Sequence, residues 1–249
     1  MERTRSFKQV VFFAAVLALA CFPSLANENK KPVTLTTHNL YPYGYYNGQN
    51  EFIGSAVDVV RCVFDQMDQP YKIEVVPWKR AQRMVLKGTA DGFFAGSQNA
   101  KRDGYAVMSA VIADQNWTWF LRKDRKMHPL DPDFKRTALV SSFLGANMQR
   151  WLVSNGYKVD GHEPVDTNLL LKRLLGGRID AALANDQVMK ALLVASKTED
   201  KVFLVLNRSK PLGVYFSKET LSERPTFLEK FNSHVADCRR SAVRDIYEP

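Results

Sequence analysis

The chain has 249 residues, of which 45% are hydrophobic, 24% charged and 11% aromatic. That balance excludes disordered and fibrous proteins and suits either one large domain or two lobes of about 100 residues each. The formal net charge of +9 invites a nucleic-acid reading, but the basic residues are scattered and no nucleic-acid signature is present.

The first segment reads as a leader and not as part of the fold. Arg3, Arg5 and Lys8 precede an apolar run from Val10 to Phe22, and Ser24-Leu25-Ala26 offers small residues at −3 and −1. Residues 1–26 are therefore expected to be a signal peptide cleaved after Ala26, with delivery to the periplasm. The run falls short of the ~20 residues that span a bilayer. Ala18-Leu19-Ala20 makes a poor lipidation site at Cys21. Without Arg3, Arg5, Lys8 and Glu2, the 35 basic and 26 acidic residues become 32 and 25, a net +7. The three cysteines become two, Cys62 and Cys238, and an even count in an oxidising compartment reads as one disulfide, with two buried free thiols as the alternative.

Val33–Thr37 is β-type, and Leu40-Tyr41-Pro42-Tyr43-Gly44-Tyr45-Tyr46 reads as a loop after it. Ser55 caps a helix to about Met67, with Val59, Cys62, Val63 and Phe64 at helical spacing. Tyr71–Val76 is a strand, Trp78–Lys87 a helix stopped by Gly88, and Gly92–Ala95 a short buried strand. This alternation argues for an α/β sheet with parallel neighbours. Trp117–Leu121 is a further strand running into the charged stretch Arg122-Lys123-Asp124-Arg125-Lys126.

A second series comes next. Strands are expected at Thr137–Val140, Ala181–Ala184, Val202–Leu206 and Leu212–Phe216, and helices at Ala146–Asn155, Asn168–Leu175 and Asp186–Ser196. Pro225 opens a closing helix to about Ala242. Two such units imply an α/β protein of two lobes facing across a cleft.

These residues resemble family 3 of the bacterial solute-binding proteins, the periplasmic amino-acid receptors of ABC transporters. The likeness runs through Tyr41-Pro42-Tyr43, Gly54-Ser55-Ala56-Val57-Asp58, Trp78, Leu86-Lys87-Gly88-Thr89-Ala90-Asp91, Gly96, Arg102 and Gly177-Arg178-Ile179-Asp180-Ala181-Ala182-Leu183. It implies a type II periplasmic binding protein fold, two α/β lobes joined by a double hinge, with one lobe at residues 30–124 plus 208–249 and the other at 125–207. The implied function is capture of a small polar, carboxylate-bearing ligand, an amino acid in the family, by a monomer that hands it to a transporter permease. A sensor subunit that docks on a signalling receptor is the alternative. Neither reading calls for a cofactor, a metal or nucleic acid.

The resemblance also assigns site residues. Arg102 matches the arginine that grips the ligand's carboxylate, which a planar fork of donors can do bidentately. Ser97, Gln98 and Asn99 precede it, Asn99 standing where the family has a threonine, in a loop one residue short. In the second lobe the position of the family's ammonium-binding aspartate falls on Asn185, with Asp186 next. An inward Asn185 offers only a neutral oxygen and implies a ligand without a free amine; Asp186 can equally be a helix cap. Ser142 and Asn147 flank a helix start whose free N–H groups would favour an anion, or they simply cap it. Tyr41, Tyr43, Trp78 and Trp117 are candidate pocket walls, with Trp78 and Trp119 open to a core role. Some dehydratases acting on cyclohexadienyl acids resemble the same family, and His38, Glu51 or Asp186 would then be the acid. No recognisable catalytic constellation surrounds them, so the chain is read as a non-enzyme.

Overall fold

The computed structural model describes residues 31–247, so the leader expected at residues 1–26, with Cys21, lies outside the described residues. Two sheets organise the chain. The first has five strands in the order β4-β1-β5-β11-β6: β1 (Val33–Thr37), β4 (Tyr71–Val75), β5 (Gly92–Ser97), β6 (Ala106–Met108) and β11 (Leu212–Ser217). Here β1 pairs parallel with β4 and β5, as alternation with helices requires, whereas β11 enters antiparallel between β5 and β6. The second has four strands in the order β10-β7-β9-β8: β7 (Asn116–Arg122), β8 (Val140–Ser141), β9 (Ala181–Asn185) and β10 (Val202–Ser209). A short hairpin pairs β2 (Tyr45–Tyr46), at the end of the segment expected to be loop, with β3 (Phe52–Ile53).

The chain passes between the two sheets at residues 109–115 and 210–211. β7, which the expected boundary after residue 124 leaves with the first lobe, bonds along its length to β9 and β10 of the second sheet. The crossings are themselves paired. Lys210 donates its N–H to Gln115 O at 2.9 Å, Leu212 donates to Ala113 O at 2.9 Å, and Gln115 Nε2 donates to Lys210 O at 2.7 Å. Such short, bonded connections are what a hinge between rigid lobes requires.

The first-lobe helices are α1 (Ser55–Gln66), α2 (Trp78–Leu86), α3 (Ala100–Asp103), α8 (Lys218–Glu223) and α9 (Phe227–Tyr247). In α1 the apolar positions Ala56, Val57, Val60, Val63 and Phe64 form one buried face, which packs with Phe231 and Val235 of α9. Ser55 does not cap α1. Pro42 and Tyr43 carbonyls accept the N–H groups of Ser55, Ala56 and Val57, and the turn that allows this needs Gly54 at φ 136°, where an added Cβ would stand 2.7 Å from Pro42 O. The closing helix starts at Phe227, two residues after Pro225, because α8 occupies the residues before it, with Ser217 Oγ accepting the Thr220 N–H as its cap.

The second lobe holds α4 (Phe134–Thr137), α5 (Asn147–Ser154), α6 (Thr167–Leu175) and α7 (Asp186–Ser196). Thr137 lies in α4, not in a strand. Thr137 Oγ1 and N both donate to Asp133 O, Phe134 is buried against Trp119, and β structure starts only at Val140. Leu170, Leu171 and Leu174 of α6 bury one face against Phe120, Ala182 and Met189. A further apolar cluster contains residues from both lobes, Trp78, Phe93 and Tyr215 from the first, Phe143, Met148 and Leu152 from the second. Among the described residues no helix is long and apolar enough to cross a membrane.

Cys62 of α1 and Cys238 of α9 are disulfide-bonded across 176 residues, with Cα atoms 5.7 Å apart. Closing a loop of that length removes unfolded-chain entropy worth about 5 kcal/mol. Reduction, or paired Cys62→Ser and Cys238→Ser substitution, is expected to lower the urea-unfolding free energy by an amount of that order, with little change in far-UV circular dichroism.

Candidate functional site

The site begins at a fault in β5. Opposite Phe94 and Gly96 the register with β11 slips by one residue, leaving Ala95 unpaired at φ 61°. A bulge of this kind bends the strand and re-aims the residues beyond it, and a left-handed alanine is strained enough to need support from its surroundings. The bend carries Ser97 and the short helix α3 towards the second lobe. Asn99 caps α3, its Oδ1 accepting the Arg102 N–H at 2.9 Å, and its own N–H reaches Tyr215 Oη at 3.2 Å.

Arg102 is consequently turned inward and is 2% exposed. Its Nε donates to Gln82 Oε1 at 3.0 Å and its Nη1 to Ser97 O at 2.6 Å, while the guanidinium carbon lies 5.0 Å from the Trp78 ring centre and 5.7 Å from that of Phe93. Among the described residues no carboxylate forms an ion pair with it. Two of the five N–H donors are used, which leaves the end-on Nη1–Nη2 fork for a planar acceptor. Burial, and after it the neighbouring Arg150 charge, lower its pKa to about 10, so it stays a cation at neutral pH.

His38 stands next to it, buried, with its ring 4.5 Å from that of Trp78. Neither ring nitrogen has a hydrogen-bond partner among the described residues. Burial first, and the Arg102 charge second, push its pKa from 6.5 down to about 3, so the imidazole is neutral and presents one donor and one acceptor.

From the second lobe, the start of α5 closes over this group. Asn147 Nδ2 donates to Ser97 O and Ser97 Oγ, both at 2.8 Å, and its Oδ1 accepts from Arg150 at 2.8 Å and from Asn99. Asn185 at the end of β9 is the inward residue of its pair. Its Oδ1 caps α7, accepting the Gln187 and Val188 N–H groups at 2.9 and 3.1 Å, and its Nδ2 donates to Gln115. Asp186 turns away instead. Its carboxylate accepts from Asn116 N at 3.0 Å and Asn116 Nδ2 at 3.2 Å, tying α7 to the hinge end of β7.

Two adjacent cavities result. A small one of about 30 Å³ is bounded by His38, Leu40, Trp78, Ala95, Ser97, Arg102, Gln115, Phe143, Ala146, Asn147, Met148, Asn185 and Leu212. That is space for a head group and not a whole solute. It shares His38, Leu40, Trp78 and Phe143 with a larger cleft of about 1030 Å³, whose further walls include Tyr41, Val75, Val76, Pro77, Val165, Asp166, Thr167, Val188, Leu192 and Val194.

Of the residues expected at the site, Trp78, Ser97, Arg102, Asn147 and Asn185 meet around the small cavity, and Tyr41, half exposed, lines the large one. Asn99 supports Arg102 and Asn147 from behind. Trp117, Ser142 and Asp186 line neither cavity. Trp117 is buried near Trp151 with Arg208 and Lys210 over its ring, and the Ser142 N–H is taken by Gln149 Oε1 at 2.9 Å. Tyr43 is core, its hydroxyl donating to Asp114 O at 2.7 Å. Glu51 is exposed and bonded to Asn47, so His38, Glu51 and Asp186 do not converge on one atom. Sequence reasoning missed Gln82, Gln115, Phe143 and Met148. Gln82 alone carried a readable signal, four residues after Trp78 and so on the same helix face.

The depressed His38 pKa has a fixed sign in stability. Below about pH 6.5 the unfolded chain binds a proton that the folded chain refuses down to about pH 3, so each pH unit in that window costs about 1.4 kcal/mol. His38→Gln should therefore flatten the fall of Tm between about pH 7 and about pH 4; an unchanged slope by calorimetry would contradict this account.

The sequence model of bacterial extracellular solute-binding proteins, family 3, matches residues 33–248. No curated protein sequence matches the chain. Solved structures share its fold at low identity. An arginine-bound mutant of ArgBP from T. maritima superposes with a TM-score of 0.69 at 16% identity, over 82% of this chain and 94% of that one. A substrate-binding protein of an ABC uptake transporter from Streptococcus pneumoniae, with bound histidine, gives 0.71 at 15% identity, over 83% and 86%. A histidine kinase sensor domain with similarity to periplasmic binding proteins gives 0.73 at 15%, over 87% and 94%. The two sheets, the paired hinge crossings and a family match across nearly all described residues lead to one conclusion: this chain belongs to family 3 of the bacterial extracellular solute-binding proteins.

Proposed function

We propose that the protein captures a small carboxylate-bearing solute between its lobes, with Arg102 as the anchor. The observation that carries this is a cation 2% exposed, held by neutral oxygens and aromatic faces, with unused donors and a place in the wall of a cavity. Burying an ion costs several kcal/mol unless a counter-charge and hydrogen bonds offset it. A ligand carboxylate supplies both, and it does so best when Asn147 and Phe143 have closed over it. Only such a preference for the closed form lets a ligand drive closure.

The family resemblance makes an amino acid the first class to test, and the relatives crystallised with arginine and histidine point the same way. Delivery to the permease of an ABC transporter fits the resemblance to uptake receptors. The likeness to a kinase sensor domain supports a second outlet, docking on a signalling receptor. Both place the protein outside the cytoplasm, where the Cys62–Cys238 disulfide would persist. Ligand exchange requires the lobes to part, about the crossings at 109–115 and 210–211 and with the boundaries between lobes that they define.

A panel of amino acids and simple carboxylates, screened by Tm and by small-angle scattering, is expected to contain compounds that raise Tm and reduce the radius of gyration. Arg102→Gln should weaken their binding about 100-fold or more while the fold persists. Ligands bound equally well by this variant would remove Arg102 from the site.

A further inference from the structure

Resting on the reading of Arg102 as the carboxylate anchor, the polar inventory of the small cavity narrows the ligand class. Around it the Ser97 carbonyl and each side-chain acceptor oxygen already take at least one hydrogen bond, Ser97 Oγ from Asn147 Nδ2 among them. Ser97 O receives Arg102 and Asn147, Asn147 Oδ1 receives Asn99 and Arg150, and Asn185 Oδ1 receives two N–H groups of α7. Gln115 Oε1 receives Asn185 Nδ2. No described carboxylate lines this cavity, and Asp186, next to the position where the resemblance puts an aspartate, spends both oxygens on Asn116. An ammonium needs three acceptors and a counter-charge. Here it would find the Arg102 guanidinium, with the Arg150 charge near that group, and as acceptors only a nitrogen of His38 and the remaining lone pairs of Ser97 Oγ and Gln115 Oε1, none of them a counter-charge.

The groups still unspent suit an anion. Arg102 has its free fork, and His38, nine-tenths buried with both ring nitrogens unpartnered, lines both cavities. Immediately beyond, the large cleft presents the apolar surfaces of Leu40, Val75, Trp78, Phe143, Val188 and Leu192. Its one lining carboxylate, Asp166, caps α6 by accepting the Leu169 N–H at 2.7 Å and is exposed. A head that fits about 30 Å³ next to a cleft of about 1030 Å³ describes a molecule with a compact acidic end and a bulky apolar body.

We propose that the ligand is an amine-free carboxylic acid with an apolar body, its carboxylate held by Arg102 and His38 and its body lying against Trp78 and Phe143 in the large cleft. His38 thereby becomes a ligand contact and not a packing residue, and Asn185 a neutral wall that selects against the ammonium of an amino acid. Discrimination stems from burial, since a desolvated ammonium set beside a guanidinium with no lining carboxylate to offset it loses far more than a methylene in the same place gains.

The test pairs each amino acid with its deaminated counterpart: L-phenylalanine with 3-phenylpropionate, L-leucine with 4-methylpentanoate, L-tryptophan with 3-indolepropionate. Titration calorimetry and Tm are measured on the purified protein and on Arg102→Gln. The expected result is that at least one deaminated acid raises Tm and binds at least about tenfold more tightly than its amino acid. The proposal is overturned if the amino-acid member of the pairs binds as tightly or more tightly, or if none of the deaminated acids binds. Amino-acid binding that Arg102→Gln abolishes would leave the carboxylate anchor standing while removing the amine-free ligand. Binding that survives Arg102→Gln unchanged would remove the anchor and, with it, this inference.

Discussion

The site turns on a positive charge that the fold buries without a carboxylate of its own. A guanidinium in that position is tolerable only because each side of it is served: Gln82 takes Nε, the Ser97 carbonyl takes Nη1, and the faces of Trp78 and Phe93 meet its flat surface. Each of those partners is placed by a different element. Gln82 and Trp78 share one face of α2, Phe93 belongs to β5, and Ser97 ends β5 beyond the Ala95 bulge. Remove the bulge and the strand would run straight, carrying Ser97 and α3 away from the second lobe. Local backbone strain at Ala95 and electrostatic strain at Arg102 are thus two parts of one arrangement.

The second lobe answers with neutral groups. Asn147 reaches Ser97 and Asn99 across the cleft, Asn185 faces inward while capping α7, and Asp186 locks α7 to the hinge strand. Diverting the carboxylate to Asn116 has two effects at once. It stiffens the junction of β7, β9 and α7, and it leaves the cavity with a positive potential that no side chain there cancels. The apolar cluster containing Trp78, Phe143 and Met148 then excludes water around that charge, which strengthens any bond an anion makes to it.

Much of this was legible in the chain, for reasons tied to particular residues. The helices expected from Ser55 to about Met67 and at Asn168–Leu175 are borne out as Ser55–Gln66 and Thr167–Leu175, and the β-branched run Val33–Thr37 marked the strand. The motif order around Gly54, Trp78 and Arg102 gave family and fold class, because those positions serve backbone turns and strand ends that any member must build. The misreadings were local competitions. Thr137 has the β-branched shape of a strand residue, yet its hydroxyl and N–H both satisfy Asp133 O in a helical turn. Ser55 has the chemistry of a cap, but the loop carbonyls of Pro42 and Tyr43 reach the helix first. Trp117 had the size and polarity of a pocket wall and was drawn into the packing beside Trp151.

By itself, then, the sequence determined the two-lobed α/β class, the family, and the pairing of Cys62 with Cys238 as the available bridge. Each of these rests on residue type and spacing, which are properties of the chain. Only the tertiary structure decided that the Trp117–Leu121 strand joins the second sheet, that Asn185 and not Asp186 faces the cavity, and that His38 lies unpartnered beside Arg102. The physical reason is common to all three. Each depends on which elements pack against the residue, and those elements lie 60 or more residues away along the chain, as in the contact of Asn116 with Asp186, 70 residues apart.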